Sequence, residues 1–228
     1  SWYRRTNRTK RVPSFFMYQL KFKEPWLQTS IGKCVPARYV FLPTSVNRRI
    51  VGDLFPFLEC PEHMVKDQAS NIFFRNLGVS THLDKDSLLA GLNFISKRDY
   101  PSGLSSWLTK NREDALQRTY RELMNNVSEQ DWAVDPISIL GSDRTFRDPK
   151  QLYGDSDLDL VDLFKDSHPI AWVPNIETRL QERFLDFFQV NRISDDLISN
   201  AIEWTHDPEK TRYWEERLVS KRDYLYSV

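Results

Sequence analysis

The sequence predicts an α+β protein, helix-rich overall, made of two tandem related units that each combine short strands with a pair of helices. Three features lead there. First, Ile72-Phe73-Phe74-Arg75-Asn76-Leu77-Gly78-Val79-Ser80, followed by Leu83-Asp84-Lys85-Asp86-Ser87-Leu88-Leu89, has a counterpart further along. The counterpart is Phe184-Leu185-Asp186-Phe187-Phe188-Gln189-Val190, followed by Ile193-Ser194-Asp195-Asp196-Leu197-Ile198. Each copy ends one helix on Phe residues, sets a Val just beyond, and opens the next helix on acids, as expected of a repeated structural unit. Second, the apolar runs between these phrases are short and punctuated by Gly and Pro, which suits strands and turns. Third, residues 109–127 form the clearest amphipathic helix: Leu116, Tyr120, Leu123 and Val127 share one face, with Arg112, Glu113, Arg118, Arg121 and Glu122 off it.

In chain order, residues 1–24 are a basic segment expected to continue from an upstream domain, since the chain opens on Ser1 rather than Met. Residues 15–22 read as a short helix or strand. The first unit is placed at 25–106. Ser30-Ile31-Gly32 suits a tight turn between short strands, 37–42 reads as extended, and 50–58 is an apolar patch. Residues 64–77 read as one helix with Met64, Ala69, Ile72, Phe73 and Leu77 on its packing face, capped by Gly78. Asp84 caps a helix carrying Leu88, Leu89, Leu92 and Ile95 as its stripe. Pro101-Ser102-Gly103 marks a boundary, and 107–128 connects to a second unit at 129–206.

There Asp131-Trp132 echoes Pro25-Trp26, Leu163-Phe164 echoes Leu54-Phe55, and Pro169 echoes Pro61. Residues 146–153 stand where 34–39 stood. A helix with Ile176, Leu180, Phe184 and Phe187 on its apolar face follows, and Ser194 caps the next. Asp207-Pro208 opens a last helix, 207–228, with Tyr213, Trp214 and Leu218 on its apolar side. Trp26, Trp132 and Trp172 read as core. Phe187 and Phe188, adjacent on a helix, are expected to face different ways, one of them towards a neighbour.

Composition narrows the function classes. Hydrophobic residues make up 40% and aromatics 13%, enough for a core and against a disordered chain. Lys and Arg number 32 against 32 acids, so no global field favours nucleic acid or an anionic membrane. Two cysteines make no disulfide framework and point to a reducing cytoplasm. No apolar run approaches the ~18 residues of a membrane span. Seven glycines with no Gly-x-Gly leave no phosphate-cradling loop.

Three constellations carry possible chemistry. Gly141-Ser142 followed by Asp157-Leu158-Asp159 resembles the nucleotidyltransferase signature, in which two carboxylates on one side of a strand hold Mg²⁺ and Ser142 meets a triphosphate. The competing reading is an acidic solvated loop leading into a strand or helix. Arg4, Arg5, Arg8, Lys10 and Arg11 beside Trp2 and Tyr3 suit nucleic-acid contact, or a solvated helix end. Cys34, Cys60, His63 and His82 could in principle form a tetrahedral zinc site, and Cys60-x-x-His63 has tolerable spacing, but the other two have no characteristic spacing; buried cysteines with surface histidines are the simpler reading, and no metal is expected.

A family resemblance rests on Trp26-Leu27-x-Thr29-x-x-Gly32-Lys33-x-Val35-Pro36, Phe41-Leu42-Pro43 and Phe73-Phe74-x-x-Leu77-Gly78-Val79, with Asp148-Pro149-x-x-Leu152-Tyr153 and Phe187-Phe188-Gln189-Val190 in the second unit. These resemble the region downstream of the Hsp90/histidine-kinase-type ATPase domain in sacsin-like and NO VEIN-like proteins. The second copy departs from the pattern where Phe188-Gln189-Val190 replaces Leu-Gly-Val. The resemblance implies a non-catalytic scaffold with a protein partner or neighbouring domains. ATP and Mg²⁺ would then bind only in an upstream ATPase domain. Phe188, Tyr213 and Trp214 are the expected contact residues.

Overall fold

The computed structural model describes residues 15–98, 103–128, 137–198 and 212. Two compact units emerge among them. The first comprises residues up to 49 together with 55–83; the second comprises 50–54 together with 84 onwards.

In the first unit, α1 (Phe15–Phe22) precedes β1 (Leu27–Gln28), which pairs antiparallel with β2 (Cys34–Val35), Leu27 opposite Val35. The connection turns at Gly32, whose φ of 71° is a left-handed conformation that a side chain would disfavour. A 3₁₀ turn (Ala37–Tyr39) then takes the place of the extended run expected at 37–42. Helix α2 (Ser45–Val51) begins where the Thr44 hydroxyl accepts from the Asn47 amide at 3.1 Å. The single helix expected at 64–77 is two, α3 (Glu62–Lys66) and α4 (Gln68–Leu77). Asp67 breaks it. Its backbone is extended and its carboxylate accepts from the Ser70 amide at 2.7 Å, an N-cap placed in mid-pattern. Phe41, Phe55, Phe57, Phe74 and Val79 are buried in this unit, Phe41 stacked on Phe55 at 5.0 Å.

The second unit opens with α5 (Lys85–Ser96), capped by Asp84 as expected, and α6 (Leu104–Trp107). Helix α7 (Lys110–Asn126) packs against α5. Strands β3 (Ile139–Leu140) and β4 (Phe146–Arg147) pair antiparallel. A 3₁₀ turn (Pro149–Gln151) leads into β5 (Tyr153–Gly154). Helices α8 (Leu158–Phe164) and α9 (Thr178–Phe188) follow. Strand β6 (Asn191–Arg192) then pairs parallel with β5, and a π-helical turn (Ile193–Ile198) ends the described run. The α5 and α7 helices thus fall in one unit, whereas the sequence assigns α5 to residues 25–106 and treats 107–128 as a connector. The short stretch 50–54 belongs with them: Arg118 Nε donates to the Ile50 carbonyl at 3.2 Å, and Arg112 pairs with Asp53 at 2.8 Å.

The internal wiring of the two units is the same. The Ser30 amide donates to Phe57 O at 2.8 Å, and the Ser142 amide to Ile170 O at 2.8 Å. Phe41 N–H reaches Pro56 O as Tyr153 N–H reaches Pro169 O, both at 2.9 Å. Ser80 N–H donates to Val40 O, and Asn191 N–H to Leu152 O. Both helices end in one motif, with Val79 N–H on Phe74 O and Val190 N–H on Leu185 O, each at 3.0 Å. The wiring also corrects the register. Pro169 matches Pro56 rather than Pro61. Phe164 closes α8 as Val51 closes α2, and Trp26 falls opposite Ser138. Trp132 lies outside the described residues. Two left-handed positions are glycine in the first copy (Gly32, Gly78) and not in the second (Arg144, φ 58°; Gln189, φ 56°).

Candidate functional site

The least expected surface is on α4. Its end is fixed by Gly78, left-handed at φ 97°, which turns the chain so that Val79 and Phe74 meet inside the first unit; both are buried. That places Ala69, Ile72, Phe73 and Asn76, spaced i, i+3, i+4 and i+7, on the opposite face, and all four are exposed. Ile72 is 55% and Phe73 58% exposed, with Met64 on α3 also exposed. The stripe the sequence assigned to packing is real, but it points to water. Periodicity identifies a helix face; only the capping motif reveals which face is inward.

The same face of α9 is covered. Leu180, Arg183, Phe184 and Phe187 occupy the places of Ala69, Ile72, Phe73 and Asn76, counted back from the shared end motif. Phe184 is 0% exposed, its ring edge-on to Tyr120 of α7 at 4.9 Å, and Arg183 Nη1 donates to Met124 O at 3.0 Å. Burial pushes the Tyr120 hydroxyl well above the usual phenol range, against the opposing effect of a backbone hydrogen bond at Leu140. On the exposed edge of α9, Asp186 pairs with Arg192 at 2.6 Å; α4 has Arg75 at that place.

Such a stripe offers apolar contact and no reaction. Full burial of a Phe or Ile side chain is worth ~1.5–3 kcal/mol. Since a little over half of each is now wet, covering both would release roughly 2–3 kcal/mol.

The other candidates resolve as follows. Phe188 is 3% exposed, packed on Phe184 at 4.9 Å and Phe187 at 5.0 Å, so it is no outward contact residue. Both adjacent Phe residues are buried because α9 is sandwiched, its Leu185 side against the strands and its Phe184 side against α7. Asp157 and Asp159 do not lie on a strand. Asp157 is the N-cap of α8, its carboxylate accepting from the Asp159 amide at 2.9 Å, and Asp159 sits in the first turn. Ser142 lies in the β3–β4 turn, its amide committed to Ile170 O. The acid-pair spacing that suggests a metal-binding strand is equally that of a helix start, and the helix is what forms.

Among the described residues no three His, Cys, Asp or Glu side chains are grouped to hold a metal ion. Cys34 is exposed and Cys60 half-buried, in place of the expected buried pair. Trp26 is exposed at the surface, its indole donating to Leu20 O at 2.8 Å. Arg4, Arg5, Arg8, Lys10 and Arg11, with Tyr213, Trp214 and, Arg212 apart, all of residues 207–228, lie outside the described residues. No described helix is long and apolar enough to cross a membrane. No family model, curated protein or solved structure matches the chain.

Proposed function

We propose that this chain is a non-catalytic interaction region, a scaffold of two related units within a larger cytoplasmic protein of the sacsin-like, Hsp90-type ATPase class. In that role it couples an upstream ATPase to partner binding. The observation that carries the reading is the outward Ala69–Ile72–Phe73 stripe on α4, at the positions where α9 of the sister unit is half-buried (Leu180, Arg183) or buried (Phe184). An apolar stripe at i, i+3 and i+4 on a capped helix suits helix-in-groove recognition. The partner is a protein or a neighbouring domain of the same protein; ATP and Mg²⁺ belong to the upstream domain.

Titration of Mg·ATP into the purified chain by calorimetry tests the reading. No saturable heat is expected up to about 1 mM nucleotide, the weak-binding end of the affinity scale. Micromolar ATP binding by this chain alone would overturn it.

A further inference from the structure

We draw no further inference here: the strongest candidate, the outward face of α4 at Ala69, Ile72 and Phe73, carries nothing beyond the reading above because nothing in the described structure shows what covers it.

Discussion

Phe73 and Phe184 occupy one position in two copies of a helix, so replacing each by Ala isolates what the surroundings contribute. Phe184 is 0% exposed, with rings at 4.9 Å on both sides, Tyr120 and Phe188. Removing a fully buried Phe ring typically costs 3–5 kcal/mol, combining lost transfer free energy with the cavity left behind. The two aromatic contacts place Phe184→Ala in the upper part of that range, about 4 kcal/mol. Phe73 is 58% exposed, so a little under half of its transfer free energy is at stake and no cavity opens. Phe73→Ala should therefore cost about 1 kcal/mol or less. For a chain of this length 1 kcal/mol moves the melting temperature by ~2–4 °C, giving losses of about 8–16 °C against at most about 4 °C. Thermal and urea unfolding of both variants, followed by far-ultraviolet circular dichroism, supply the comparison. Equal losses, or a larger loss for Phe73→Ala, would mean that the outer face of α4 is already covered and would refute the reasoning.

Three further substitutions follow from the same geometry. Gln189 holds φ at 56° where the first copy uses Gly78, so Gln189→Gly should relieve left-handed strain and stabilise by about 0.5–1 kcal/mol net of chain entropy. The mirror change Gly78→Ala should destabilise, since its Cβ would also crowd Lys21 Cγ at 3.1 Å; a lower urea midpoint for Gln189→Gly would count against the shared cap. Tyr120 has its folded-state pKa raised by burial, so its contribution to stability is complete below the ordinary phenol value near 10 and declines as pH rises beyond it. Tyr120→Phe should flatten the alkaline limb of a stability-versus-pH curve while changing stability at pH 7 by only ~1 kcal/mol, and an unchanged slope above pH 10 would contradict the burial.

The repeat was legible in the sequence because its end motif is chemically specific. A Gly or a polar residue (Gln189) in the left-handed position, then Val, then a polar link and an acid, can be recognised twice without alignment. The Asp84 cap and the Thr109-led amphipathic helix were legible for similar local reasons, whereas Phe15–Phe22 read equally as helix or strand and is helix. Register in the loops was not. Between Leu42 and Pro56 no residue announces its partner; the pairing of Pro56 with Phe41, and of Pro169 with Tyr153, is a backbone hydrogen bond that any residue could accept. The sign of the α4 face was hidden for a different reason. Ile72 and Phe73 satisfy the periodicity of a core stripe, and only the commitment of Phe74 and Val79 to the interior turns them outward. Phe188 failed in the opposite sense, because two adjacent Phe residues can both be buried when a helix is packed on two sides. The Asp157–Asp159 pair shows a third limit: alternate acids read alike on a strand and at a helix start, and the deciding hydrogen bond is made by a backbone amide.

The five residues Ile50–Leu54 have a consequence for how the molecule is made. They are translated in the middle of the first unit yet belong with α7, whose Arg118 and Arg112 hold Ile50 and Asp53. About sixty residues must still leave the ribosome before that helix exists, roughly 3–12 s at cellular synthesis rates. Through that interval Val51 and Leu54, buried at the end, wait without their helix. A nascent chain halted near Leu83 should accordingly be sticky, and no single cut in the finished polypeptide releases either half whole.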